Sequence, residues 1–426
     1  MPKILWVAPF SLHDTSSGAA INCRYMLKGL ARLGYEVWAC STFVFNTQSG
    51  AQQAFGDLEQ QIYHSANNVF VFDEDNIHYV YPKVMQTSEL SMTLAECQLF
   101  FNTYRQILSE FKPDLVMGYG VSPLAQTCFA EAKAQQLATV YVVSNGTYGN
   151  YLFPNIDLIV TDSHATAQLY AERDEINMVP VGAFFDVKDI TAPQHEPRFV
   201  TMINPSEHKG VSIFAKLAQV CQQELPQVQF LTVSSGRPIT EVLGLLHEKG
   251  KPQVHPFHPS DFKNLHMVDL QEDMRPIYAI TSVLVAPSLW FEPWGRCASE
   301  AIFNNIPVIA ANSGGLSEAM AGGGVLLDTP QHCQEDYLSL PDDEEIRPWV
   351  ESLKFFLEHT SDSDSDELLS TAQQRLSQEN ALGRLITALT PLITRSQQER
   401  ALRTQPQLNL NALSDHQLAQ VPDVHF

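Results

Sequence analysis

Short apolar runs alternate with helical patterns along almost the whole of this 426-residue chain, and they do so in two separate series. A strand, a helix and a further strand pack as a right-handed crossover, so repetition of the unit builds parallel, doubly wound sheets. In the first series Ile4–Phe10 leads into a helical run from Tyr25 to Leu33 that Gly34 closes. Further strands are expected at Glu36–Cys40, Asp114–Met117, Thr139–Val143 and Leu158–Thr161. The second series places strands at Phe199–Ile203, Gln229–Val233, Val283–Ala286, Val308–Ala310 and Val325–Leu327. Between the series, Gly182, Pro193 and Pro197 give the composition of a linker. A chain this long exceeds one ordinary core. The expected fold class is therefore α/β, with a first doubly wound domain over 1–184, a hinge at 185–197 and a second over 198–380. A helix over 381–395, able to cross back to the first domain, would follow. Ser361–Asp366 reads as a solvated acidic loop, and the Gln-, Leu- and Asn-rich stretch 396–426 as a flexible tail. Ligands of such folds sit at the carboxyl ends of the strands, which places the natural site in a cleft between the domains.

Composition narrows the function classes. A net charge of −22 argues against general nucleic-acid binding and against docking on anionic lipid. No apolar run approaches the ~18 residues of a membrane span, so no integral membrane segment is expected. The start of the chain has no signal-peptide pattern. Seven scattered cysteines suit a reducing compartment, and a cytoplasmic location is expected. Asp73-Glu-Asp75 has the look of a metal-binding DxD motif, but lies far from the second series and reads as a solvated acidic turn. His255, His258 and His266 are separated by Pro256 and Pro259, which break any helical register, and no metal is expected there. Neither a Walker A loop nor a dinucleotide fingerprint is present.

The residues that can carry chemistry cluster in the second series. After the apolar run that ends at Ala286, Glu292 stands in a tight turn with Pro293 and Gly295, and Glu300 lies in the helix that follows. Taken singly, each glutamate reads equally as a complement to a helix dipole or an ordinary helical residue. The first amides of that helix lack intrahelical acceptors and form a ready anion site. Arg296 in the same turn opposes the dipole, a conflict that a bound diphosphate would resolve. A second turn, Asn204 to Gly210 after the strand Phe199–Ile203, carries Lys209 at a helix start. A charge-assisted contact from that lysine to phosphate is worth about 1.5–3 kcal/mol. Glu300, roughly 7–8 Å along the helix axis, could accept from both hydroxyls of a ribose, and Glu292 from sugar hydroxyls on the other side of the diphosphate. Gly314 and Gly315 permit close backbone approach to a ligand, and the small-residue loop around Gly18 faces the same cleft.

With these residues in hand, the segment 200–330 resembles the donor-binding half of retaining GT-B glycosyltransferases of the family 4 type. The resemblance rests on Glu292-x7-Glu300 followed by Ala301, on Pro307-Val308, Gly314-Gly315 and Glu318, and on Pro205 to Gly210 as the phosphate loop. It implies a GT-B fold of two Rossmann-like domains. It implies transfer of a sugar from a nucleotide diphosphate-sugar donor to an acceptor hydroxyl with retention, and without a metal or other cofactor. Glu292 would hold the donor sugar, Glu300 the ribose and Lys209 the diphosphate; Gly295, Arg296, Asn204, Gly314, Gly315 and Gly18 would complete the donor site. Where many members have an arginine five residues before the lysine, this chain has Asn204, and Arg296 is expected to supply the missing charge. The family's histidine after the strand Thr139–Val143 is replaced by Ser144-Asn145-Gly146. With nine basic and 17 acidic residues in the first 180, a small molecule, a glycan or another soluble acceptor is favoured over a lipid. Base recognition is expected near Met267–Leu270. A sugar-nucleotide epimerase of the same architecture, a sugar phosphorylase and a non-catalytic sugar-nucleotide binding protein are the alternatives. Sugar, acceptor and oligomeric state are not readable from the chain.

Overall fold

The computed structural model describes residues 1–46, 51, 54–56, 58–86, 88–234, 237–269, 271–359 and 363–404. The N-terminal sheet contains β1 (Lys3–Val7), β2 (Glu36–Cys40), β3 (Val69–Glu74), β4 (Ile77–Pro82), β5 (Leu115–Gly118), β6 (Ala138–Val143), β7 (Leu158–Thr161) and β8 (Val179–Pro180). Their order is β3-β4-β2-β1-β5-β6-β7-β8, parallel throughout except for the β3–β4 hairpin. The C-terminal sheet contains β9 (Phe199–Ile203), β10 (Gln229–Val233), β11 (Leu265–Val268), β12 (Thr281–Ala286), β13 (Val308–Ala311) and β14 (Gly324–Leu327). It is wholly parallel, in the order β11-β10-β9-β12-β13-β14. Strands covered by helices on both faces must be apolar throughout. Ile4, Leu5 and Trp6 of β1 are accordingly fully buried in succession, as are Val308, Ile309 and Ala310 of β13. In each sheet the order reverses beside the first strand of its series, which is where a doubly wound fold opens a ligand crevice.

Four strands are additional to those expected from the sequence: β3, β4, β8 and β11. β3 and β4 meet at Asp75 and Asn76, which adopt φ of 53° and 62°, the left-handed pair that a two-residue hairpin turn requires. The acidic triplet therefore leads into a hairpin turn, with Asp73 and Glu74 exposed, and its carboxylates are ion-paired. Asp73 pairs with His78 at 2.7 Å, Glu74 with His13 at 2.8 Å and Arg24 at 2.9 Å, and Asp75 with Lys28 at 3.3 Å. The hydrogen bond from His13 and the charge of Arg24 pull the Glu74 carboxyl down to about 2 against partial burial. His255, His258 and His266 are likewise engaged separately, with the Leu246 carbonyl, Ser260 and Gln229.

Two helices bear on the site from the N-terminal side, and a third packs in the core of the N-terminal sheet. Ser17 caps α1 (Gly18–Arg32), its hydroxyl accepting from the Ala20 amide at 3.3 Å. Ser163 caps α2 (His164–Asp174). The third, at the far end of the chain, corrects the reading of 396 onward as a loose tail. The helix runs from Gln378 to Thr404, and its Ala381, Leu382, Leu385, Leu389 and Ile393 are buried in the core of the N-terminal sheet. Arg395 pairs with Asp157 at 3.3 Å and Arg400 with Asp114 at 2.6 Å, so apolar spacing and charge together carry the helix past 396. Residues 405–426 lie outside those described. Of the acidic run Ser361–Asp366, residues 361–362 are also outside, and the remainder opens a helix, Ser363–Arg375.

Candidate active site

Two turns of the C-terminal domain meet at the cleft. The first leaves β9 through Asn204, at a φ of 60°, and passes Lys209 into α3 (Val211–Glu224). The second leaves β12 and reaches α4 (Arg296–Phe303). Leu289 and Trp290 donate backbone N–H groups to the His208 carbonyl at 3.0 and 3.2 Å, which ties the turns together. At the junction Lys209 Nζ lies 2.5 Å from Glu292 Oε1, and the Ser288 hydroxyl donates to the same oxygen. The Lys209 ammonium also lies 4.9 Å from the centre of the Trp290 ring, a cation–π contact. Burial raises the Glu292 pKa, but the Lys209 charge and the hydrogen bonds from Lys209 and Ser288 outweigh it and hold the carboxyl below its ordinary value.

Gly295 adopts φ 99° as the N-cap of α4, and a Cβ there would meet Leu316 at 2.5 Å. Only glycine takes this conformation without cost, so the turn delivers the first amides of α4 to the cavity floor. Gly314 and Gly315, expected to permit close backbone approach to a ligand, make a close approach to the turn itself. A Cβ on Gly314 would sit 2.1 Å from the Glu292 carbonyl oxygen, and one on Gly315 would sit 2.4 Å from that of Pro293. The Gly315 amide donates to the Glu292 carbonyl at 2.7 Å. These glycines buttress the turn from behind; the backbone they approach is that of Glu292 and Pro293.

Glu292 and Glu300 open on two adjoining cavities of about 320 and 520 Å³. Gly18, Ile203, Asn204, Arg296 and Cys297 line both. Glu300 accepts from the Tyr278 hydroxyl at 2.8 Å and pairs with Arg296 at 3.2 Å. Arg296 therefore takes a different place from the one expected over the helix N-terminus. Its guanidinium crosses the cleft, donating to the Phe184 carbonyl at 2.9 Å and to Asn22 at 3.3 Å, and packs 4.3 Å from the centre of the Phe185 ring. Gly18 faces its side chain from α1. Met267 does not line either cavity and Leu270 lies outside the described residues; the following stretch, Gln271 to Arg275, forms the outer wall beside Glu300.

The facing wall comes from the N-terminal domain. Glu318, in α5 (Leu316–Met320), accepts from the His164 and Ala165 amides at 2.9 and 3.0 Å, a carboxylate placed at the positive end of α2. Thr166 donates to the Pro293 carbonyl at 3.3 Å. The α2 start is thus docked on the turn that holds Glu292. Asn22, Ser144 and Asp162 line the first cavity from this side, and sequence reasoning passed over all three in this role. The available signal was Thr161-Asp162-Ser163 directly after an apolar strand, at the carboxyl edge where doubly wound sheets bind ligands.

Residues 197–343 match the model of the family described as Glycosyl transferases group 1. No curated protein matches the sequence. Among solved structures, a glycosyltransferase from Rickettsia africae ESF-5 is similar at 13% identity with a TM-score of 0.62, covering 92% of this chain and 98% of that one. Anabaena Alr3699/HepE in complex with UDP and glucose is similar at 15% identity and a TM-score of 0.58, over 92% and 100%. The pneumococcal O-GlcNAc transferase GtfA in complex with UDP and GlcNAc is similar at 13% and 0.58, over 92% and 99%. At such identities the structural likeness is one of fold. Residues 197–343 thus match the group 1 glycosyltransferase family, and they are set in a two-domain fold that the whole chain shares with solved glycosyltransferases.

Proposed function

We propose that the protein transfers a sugar from a nucleoside diphosphate-sugar to the hydroxyl of a soluble acceptor, with retention and without a metal. The observation that carries this reading is the part-buried Lys209–Glu292 pair beside the N-terminus of α4, all on one cavity. When the donor's bond between C1 and the phosphate oxygen breaks, charge builds on the diphosphate. Lys209 and the α4 amides are fixed where that charge develops, and groups fixed in advance cost no reorganisation as the bond breaks. Glu292 would accept from donor-sugar hydroxyls and Glu300 from the ribose. The acceptor oxygen would attack on the face the diphosphate leaves, and the diphosphate would take its proton. The seven cysteines are all free thiols, five of them buried, which supports work in a reducing cytoplasm.

A melting-temperature screen against UDP-, GDP-, ADP- and TDP-sugars tests the donor, since a ligand bound only by the folded state raises Tm. One nucleotide class should raise it. With that donor, NMR of the product should show the donor's anomeric configuration, and the rate should persist in excess EDTA. Inversion, or loss of rate in EDTA, would overturn the corresponding part of the proposal, and a changed sugar without acceptor would point to an epimerase. Glu292→Gln should then lower transfer by roughly 10- to 100-fold, the range of a charged hydrogen bond; full activity would remove the role given to that carboxylate. Arg296→Ala should weaken donor binding by more than about 1 kcal/mol, because it releases Glu300 and unties the two walls. Calorimetric titration of the nucleotide measures it, and an unchanged Kd would count against Arg296.

A further inference from the structure

The donor-side roles leave one buried carboxylate of the first cavity unused. Asp162 follows β7 at the carboxyl edge of the sheet, is 5% exposed, and lines the same cavity as Lys209 and Glu292. Its Oδ1 accepts from Asn22 Nδ2 at 2.9 Å. The Asn22 carbonyl oxygen is itself occupied, accepting from the Phe184 amide at 2.7 Å and from Arg296 at 3.3 Å. That amide therefore cannot turn over, and its NH₂ is committed to Asp162. Ser144 stands near enough to favour the ionised carboxyl, yet its buried hydroxyl has no hydrogen bond of good geometry within the protein. Buried hydroxyls are ordinarily paired, so this one is available to a ligand in the cavity.

The charged and titratable groups facing Asp162 are Arg296 from α4 and Cys23 from α1. Cys23 is held as a neutral thiol, its pKa pushed well up by burial. Burial likewise pushes the Asp162 carboxyl up to about 7, against the opposing pull of Ser144, Arg296 and Asn22. It therefore ionises near neutrality and not in the ordinary carboxylate range.

We propose that Asp162, with Ser144 beside it, binds and aims the attacking acceptor hydroxyl, so that this wall is the subsite for a neutral, hydroxyl-bearing acceptor. The carboxylate accepts the hydrogen bond from the acceptor O–H, which turns an oxygen lone pair toward C1 of the donor sugar. That single proton passes to the carboxylate as the new C1–O bond forms and the bond from C1 to the diphosphate oxygen breaks, and Asp162 then gives it up to the departed diphosphate. A phosphate or carboxylate on the acceptor would be repelled at this point. The inference rests on the transfer reaction proposed above. In the absence of acceptor, water takes the hydroxyl's place and the reaction is slow hydrolysis of the donor.

The test uses the full chain and the donor selected by the melting screen, with water as the acceptor probe. Asp162→Asn should lower hydrolysis roughly tenfold or more, the smallest loss expected for a charged hydrogen bond, while the Kd of the nucleoside diphosphate is unchanged. The unaltered enzyme's rate should rise with pH through about 7 as Asp162 ionises, and the variant should lack that limb. Ser144→Ala, a milder change, should move the limb to higher pH, because Ser144 favours the carboxylate. Undiminished hydrolysis, an unaltered pH profile in Ser144→Ala, or an equal loss of nucleotide affinity in Asp162→Asn would overturn the assignment. If the unaltered protein binds and hydrolyses no nucleotide-sugar, it is the transfer reading itself that fails.

Discussion

Lys209→Ala lowers sugar transfer by roughly 100-fold and inverts the acid response of the fold. The lysine is one of two cations lining the cavity, with Arg296, and the partner of a carboxylate only 7% exposed. Removing one member of a buried pair costs about 3–5 kcal/mol. Because Lys209 is 24% exposed, the low end applies, about 3 kcal/mol, or roughly 100-fold if it falls on the transition state. The pH sign follows from Glu292. Its folded pKa lies below the ordinary value, so the pair's contribution is present above the ordinary carboxylate range and is lost as pH falls through the depressed value. Without Lys209, burial becomes the dominant cause and the pKa moves above the ordinary value. The variant's fold is then favoured at low pH and loses stability as pH rises. Turnover with the confirmed donor, together with Tm measured from pH 4 to 8, reads both effects. Transfer within twofold of the parent, or parallel Tm profiles, would sink the assignment. The double variant with Glu292→Gln should cost less than the two singles combined, since each removes the same interaction.

Gly314→Ala is the second large effect, and it acts through the backbone of Glu292. The residue has φ 53°, and a Cβ would stand 2.1 Å from the Glu292 carbonyl oxygen and 2.9 Å from its amide nitrogen. An L-residue in this region costs about 1–2 kcal/mol before any clash is counted. Backbone cannot swing aside as a side-chain end can, so the turn carrying Glu292 must move. The loss should be about 2–4 kcal/mol in stability, a fall in Tm of roughly 5–10 °C, with transfer reduced further because Glu292 leaves Lys209. Differential scanning fluorimetry and turnover measure the two. A variant with parental Tm and activity would show that the close approach is not what holds the turn.

Much of the architecture was legible because parallel strands buried on both faces must be apolar along their length. The runs at Glu36–Cys40, Leu158–Thr161 and Gln229–Val233 are strands with those bounds. The hairpin of β3 and β4 was legible too, in two alternating runs parted by Asp75-Asn76, but the acidic triplet drew the reading toward a metal motif or a loop. The extension of the last helix beyond 396 was not legible. Its polar composition suggests disorder, and the ion pairs with Asp114 and Asp157 that hold it come from residues far away in sequence.

For the site, the order of residues along the chain was enough to place Glu292, Lys209, Glu300 and Gly295 in one neighbourhood. Each follows a strand of one parallel sheet, and parallel strands present their carboxyl ends to a single edge. Sequence also recorded that Gly314 and Gly315 carry no side chain, though not what fills the space. Only the tertiary structure put Glu292's own backbone there, turned Arg296 across to Asn22 and Phe184, and set Asp162 opposite the donor turn. A covalent sequence carries propensity and spacing along one chain. The direction of a long side chain, and the pKa of a buried acid, depend on atoms that arrive only when the two domains face each other.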